Sequence, residues 1–267
     1  MTDRGARRTT VERRQSERRV APTESLSPTE PVSSAGIVVD RRDTAKRNEL
    51  RFLVAEEDAR RALGVAAREL RRLDERPWYT TTYCDTPDRS VYRAALAHDG
   101  VMLRIREYAD ARPERILGGP LVWIEWKRET ASESQKWRFV TTPDQVRATL
   151  RGDGHAFAGW PRDIEPVVVT QCRREAYESR RGEVRVTADR EVAYRRVSAN
   201  GDTSLLGPAI GQEEGVLVEV KWLDTLPEWT ERLIHELRDR SAEYPAKFLV
   251  AMHHLLSSPP STQGLAS

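Results

Sequence analysis

Stretches in which apolar and charged residues alternate recur along the chain, and they leave few folds open. In residues 101–108 (VMLRIREY), Val101, Leu103 and Ile105 would share one face of a strand, and Met102, Arg104, Arg106 and Tyr108 the other. Two arginines about 7 Å apart repel each other by about 2 kcal/mol at an effective dielectric near 20, and by less in water. The pattern returns. Glu125 and Lys127 oppose Val122, Ile124 and Trp126; Glu219 and Lys221 oppose Val218, Val220 and Trp222. Lys136 and Arg138 share a face, as do Arg185, Thr187 and Asp189, and Arg47, Glu49 and Arg51. An antiparallel sheet with one face on the core and one in water explains any single strand. Charge at so many successive positions points further, to a sheet curled with its charged face inward and helices over the aliphatic face. Such a lumen suits a polyanion, because an anion between Arg104 and Arg106 turns their repulsion into affinity.

The spacing predicts strands over 46–54, 79–85, 91–96, 101–108, 121–129, 135–140, 167–178, 183–194 and 216–222, separated by turn residues such as Asp99-Gly100 and Gly118-Gly119-Pro120. Four helical patterns stand among them, all expected in an outer layer. One lies within 56–75, with Leu63, Ala66, Ala67, Leu70 and Leu73 at helical spacing. A second, over 142–152, has Thr142 as N-cap and Gly152 as stop. A third spans 227–240 and a fourth 245–256. Residues 1–44, rich in Arg, Ser, Thr, Pro and Glu, read as a disordered tail, as do 257–267, which leaves one domain over 45–256.

Composition narrows the function classes. The chain has 267 residues, with 44 Lys and Arg against 42 Asp and Glu, so net charge does not mark a nucleic-acid binder, and no nucleic-acid partner is expected. The first twenty residues lack the apolar stretch of a secretory signal, and no apolar run is long enough to span a membrane. Cys84 and Cys172 lie far apart, outside metal-ligand spacing, which fits a reducing compartment, so a cytoplasmic location is expected. A P-loop is absent. His98, His155 and His235 are isolated, and His253-His254 reads as surface or packing. Cys172 reads as a small apolar filler, and Trp126 and Trp222 as core; Trp123 and Trp137 stay open.

In order along the chain, 47-RNELR-51, 83-YCDTPDRSVY-92, 104-RIREY-108, Glu125 with Lys127, 136-KWRF-139, 174-REAY-177, 184-VRVTADR-190, 219-EVK-221 and Lys247 ahead of the last helix resemble the motifs of the VTC domain. This is the polyphosphate polymerase domain of the triphosphate tunnel metalloenzyme superfamily. The resemblance runs from about Lys46 to Leu256. It implies an α+β fold, an antiparallel β-barrel with a charged interior and helices packed outside. It implies transfer of the terminal phosphoryl group of ATP to a growing inorganic polyphosphate chain, with Mn²⁺ or Mg²⁺ as cofactor. By position, Arg51, Arg104, Arg106, Lys127, Lys136, Arg174 and Lys247 would be phosphate ligands. Glu219 would be the principal metal ligand, with Glu125 and Glu49 as further ones; Arg185 and Lys221 would bind phosphate or balance charge. The chemistry agrees: phosphoryl transfer needs positioning and charge neutralisation more than a protein nucleophile, and carboxylates suit hard cations. Three positions depart from the family pattern: Ala246 where Ser is frequent, Cys172 where Tyr is frequent, and Arg51 in place of Lys. Hydrolysis of tripolyphosphate or a nucleoside triphosphate in the same tunnel, and polyphosphate binding without turnover, are the competing readings.

Overall fold

A computed structural model of the chain describes residues 39–42, 47–73, 75–97, 100–129, 134–153, 163–198 and 206–258. Lys46, His98 and His155 lie outside the described residues, as do most of the two expected tails. Within the first tail, Val39–Arg42 form a strand, β1.

The other strands are β2 (Asn48–Val54), β3 (Arg71–Arg72), β4 (Trp78–Asp85), β5 (Gly100–Ala109), β6 (Val122–Glu129), β7 (Ser134–Thr141), β8 (Glu165–Glu178), β9 (Val184–Val197), β10 (Leu206–Gln212) and β11 (Val216–Trp222). The helices are α1 (Glu56–Glu69), α2 (Ser90–Leu96), α3 (Pro143–Leu150), α4 (Glu228–Arg238) and α5 (Lys247–Ser257). All strands join one antiparallel sheet in the order β1-β7-β6-β5-β4-β8-β9-β11-β2, with β10 beside β9 and β3 beside β8.

The sheet does not close, which corrects the expected barrel. Its two ends are β1 and β2. The far edge of β2 is engaged by the segment before α5: Phe52 bridges Glu243, and the Tyr244 N–H donates to the Arg51 carbonyl at 2.6 Å. Backbone groups that would close a barrel are thus satisfied by a loop. The sheet is nevertheless curled. Four interstrand spacings separate β2 from β4, about 19 Å on a flat sheet. Yet Leu53 of β2 and Tyr83 of β4 belong to one apolar cluster with Phe248 of α5, as strands curved around a trough allow.

The convex face packs as the alternation predicts. Val216, Val218 and Val220 form a core with Ala59, Leu63 and Ala66 of α1 and Leu233, Ile234 and Leu237 of α4. Leu103, Ile105, Val122, Ile124, Trp126 and Phe139 are buried in a second cluster that takes in Val91 of α2 and Val146 of α3. α5 is the exception to the expected outer layer. Phe248 sets its ring 5.1 Å from Tyr83, and Lys247 pairs with Asp189, so α5 sits on the charged side and plugs one end of the trough.

Three local differences have physical causes. Residues 91–96, expected as a strand, are α2. The Asp85 carboxylate accepts the N–H groups of Val91 (2.9 Å) and Tyr92 (3.2 Å), and the Thr86 hydroxyl that of Ser90 (2.9 Å), so a helix start is capped from the end of β4. The first helix stops at Glu69, because Arg71 and Arg72 pair with Glu178 and Tyr177, and the Leu73 N–H donates to Ala176. In β9 the register slips by one residue around Glu191, whose φ of 55° is in the left-handed region. That bulge brings Val192 and Tyr194 onto the same side as Asp189. The 142–152 helix forms as expected, with a Thr142–Gln145 capping box and Gly152 at φ 80°.

Candidate functional site

The alternation seats each charged side chain, and strand pairing sets them side by side. Arg104 lies opposite Glu125 and Tyr83, Arg106 opposite Thr81 and Trp123, and Glu125 opposite Arg138. Lys127 stands opposite Lys136. On the other half of the trough, Arg174 faces Asp189, Thr187 faces Glu219, and Glu219 faces Arg51.

Three carboxylate centres organise the cations. Glu125, 1 % exposed, meets Arg104 at 2.6 Å, Lys136 at 2.9 Å, Arg138 at 3.2 Å and Arg106 at 3.5 Å. Burial alone would raise its pKa, but Arg104, Arg106 and Lys136 hold it well below the ordinary carboxylate range. Crowding acts in the opposite sense on Lys136. Burial and the neighbouring arginines outweigh Glu125 and bring the ammonium down to about 7.

The second centre is Asp189, fully buried. Arg174 donates to both of its oxygens, at 2.6 and 2.7 Å, and Lys247 to one at 2.6 Å. Arg174 also lies over the Tyr79 ring, 4.6 Å from its centre, with Arg106 above the same ring at 5.9 Å. Arg174 and Lys247 stay charged despite burial because Asp189 opposes it, and Asp189 is itself held low by both. The third centre pairs Glu219 and Glu49 with Arg51 and Lys221; Arg51 Nε meets Glu219 at 3.2 Å. Here burial and the adjacent Glu219 push the Glu49 carboxyl up, while Lys221, Lys247 and Arg51 hold Glu219 well below its usual range.

The expected residues therefore converge, with two qualifications. Arg185 stands at the rim, 3.2 Å from Glu75 and 3.9 Å from Glu178. Glu125 is separated from the Glu49–Glu219 pair and is enclosed by four cations. Among the described residues no group of three or more His, Cys, Asp or Glu side chains is assembled to hold a metal. The Glu49–Glu219 pair fits a hard cation on chemical grounds: two neighbouring carboxylates, one buried and one half-buried with its pKa raised, gain from a divalent ion that completes its shell with water and phosphate oxygens.

Sequence reasoning passed over Asp189 and Arg138 as site residues, although both lie on charged faces it identified, and over Tyr79 and Tyr83, whose rings line the same trough. The set-aside residues behave as expected. Cys84 and Cys172 are buried free thiols, with burial pushing the Cys172 thiol up to about 12. His254 stacks on Tyr194 at 5.1 Å, close enough that a Cβ at Gly211 would come within 2.7 Å of its ring. His235 is exposed beside Asp239.

A family model described as VTC domain matches residues 160–256. The resemblance to the VTC domain is shown over that span. The VTC match spans β8, β9, β10, β11, α4 and all but the last residue of α5, and with them Arg174, Asp189, Glu219, Lys221 and Lys247. Arg51, Arg104, Arg106, Glu125, Lys127 and Lys136 lie outside it, and the sheet brings them to the same face. No curated protein matches the chain. Among solved structures, a candidate adenylate cyclase from Vibrio parahaemolyticus is similar at 16 % identity and a TM-score of 0.47, over 79 % of this chain and 99 % of that one. A candidate adenylate cyclase from Bacillus halodurans is similar at 11 % identity and a TM-score of 0.47, over 78 % and 97 %. The candidate adenylyl cyclase HpAC1 from Hippeastrum, described with a dominant triphosphatase activity, is similar at 15 % identity and a TM-score of 0.46, over 78 % and 96 %. No helix among the described residues is long and apolar enough to cross a membrane.

Proposed function

We propose that the chain is a phosphotransferase that moves the terminal phosphoryl group of ATP onto an inorganic polyphosphate chain lying in the trough. The observation that carries this reading is the gathering of basic side chains in excess of the buried carboxylates that fix them. Glu125 alone is surrounded by Arg104, Arg106, Lys136 and Arg138. The VTC match supports it on the other wall.

Each group has a part. Arg104, Arg106, Lys127 and Lys136 hold the phosphate chain from one wall, and Arg174 and Lys247, aimed by Asp189, hold it from the other. Arg51 and Lys221 balance the charge of Glu49 and Glu219, and those two carboxylates would hold Mn²⁺ or Mg²⁺. With such an ion bound, negative charge on the phosphate oxygens is neutralised for in-line transfer. The attacking oxygen of a polyphosphate end is already anionic, so no general base is needed. Buried free thiols are in keeping with a cytoplasmic site of action.

Hydrolysis is the second reading, and the open sheet favours it, since a trough unclosed between β1 and β2 admits water. One assay separates the two. Purified protein is incubated with ATP and Mn²⁺ or Mg²⁺, the product is run on a gel stained for polyphosphate, and free phosphate is measured in parallel. Long polymer without matching phosphate release supports transfer. Phosphate release alone supports hydrolysis. Binding with neither leaves a polyphosphate-binding module.

A further inference from the structure

The end of the trough away from α5 has a different chemistry. α5 packs at the Tyr83 end of β4; at the other end of the same strand, Tyr79 meets Tyr108 with ring centres 4.8 Å apart. Next to them on the charged face stands Trp123, half-buried and in register with Arg106. The Arg138 guanidinium lies 3.8 Å from the centre of the Trp123 ring. Arg138 hydrogen-bonds the Tyr108 hydroxyl and forms an ion pair with Glu125 at 3.2 Å. Thus it is tethered by Tyr108 and Glu125 and set against Trp123, while the side chain keeps 22 % of its surface exposed. The loop after β5 turns to the opposite side of the sheet, where Glu107 accepts the N–H groups of Leu117 and Gly118, and Arg112 covers Trp78. It does not cover this platform.

A planar guanidinium locked on an indole is a stacking surface for a flat aromatic ring, and nucleobases stack on arginine planes and aromatic side chains alike. Bare polyphosphate has nothing to place there. Resting on the phosphotransferase reading above, we propose that the face of Arg138 turned away from Trp123, positioned by Tyr108, receives the base of a nucleoside triphosphate at the open end of the trough. Its phosphates then run inward past Arg106, the register partner of Trp123, to Arg104, which lies about 7 Å deeper along the strand. The platform makes the chain discriminate a nucleotide from inorganic tripolyphosphate.

The test is the ratio of ATP to tripolyphosphate affinity, measured by calorimetry at one salt concentration and pH on wild type, Trp123→Leu, Trp123→Phe and Arg138→Lys. In Trp123→Leu and in Arg138→Lys the ratio is expected to fall about five-fold or more, the lower end of what one stacked base contributes. Trp123→Phe, which keeps a ring under the guanidinium, should restore most of it. Tripolyphosphate binding by each variant reports that it is folded. An unchanged ratio, with both ligands weakened alike or neither weakened, overturns the platform while leaving the trough intact. If wild type binds neither ligand, the phosphotransferase reading falls and the platform with it.

Discussion

Lys136 and Glu219 illustrate how the same burial leads to opposite outcomes at single residues. Lys136 shares one carboxylate with three arginines, and its ammonium falls to about 7. Anions bind its protonated form, so tripolyphosphate affinity should decline as pH rises from about 6 to about 8, with proton uptake on binding near neutrality. Calorimetry in two buffers of different ionisation enthalpy measures that uptake, and Lys136→Arg should flatten the profile. The empty protein should gain stability between pH 7 and the ordinary lysine value, because the unfolded chain there holds a proton that the folded one lacks. Glu219 shares Arg51 and Lys221 with Glu49, and with Lys247 nearby it stays ionised. Glu219→Gln should abolish turnover under either enzymatic reading while sparing much of the anion binding, to be seen by running the gel assay and calorimetry on one preparation. Normal turnover by that variant would remove Glu219 from the metal-binding role.

At the scale of elements, α2 is a helix because of its neighbours. Asp85 and Thr86 supply the capping acceptors, and Arg89, at φ 63°, redirects the chain into the first turn. Asp85→Ala should cost about 2 kcal/mol, the upper end for a cap, because three N–H groups lose a buried acceptor. Denaturant unfolding of the variant measures this. The β9 bulge makes the opposite prediction. Glu191 sits at φ 55°, a region costing an ordinary residue about 1–2 kcal/mol, and its ion pair with Arg173 at 2.9 Å is exposed. Glu191→Gly should therefore leave stability equal or raise it by up to about 1 kcal/mol, read as a small increase in thermal midpoint.

For the whole molecule, the three carboxylate centres set the response to acid. Glu125, Asp189 and Glu219 titrate below their unfolded values, so each contributes stability that is present above about pH 4 and lost as pH falls through the folded values. Acid unfolding followed by circular dichroism should begin below about pH 4, and tripolyphosphate should oppose it by occupying the cations that protonated carboxylates release. Much of this was readable along the chain. Strand alternation is a local property, so the charged face, the antiparallel sheet and the N-cap at Thr142 followed from spacing, while Arg174 and Lys247 came from the resemblance to the VTC domain. Closure, by contrast, depends on what meets the edge of β2, and residues 243–244 arrive there from far along the chain. The nature of 91–96 depended on acceptors at Asp85 and Thr86. The place of α5 depended on a buried aspartate that only the bulge of β9 leaves on the same side as Tyr194. Periodicity tells which way a side chain points relative to its own strand; which strands face each other, and which carboxylate stands among which cations, is decided where the sheet curls.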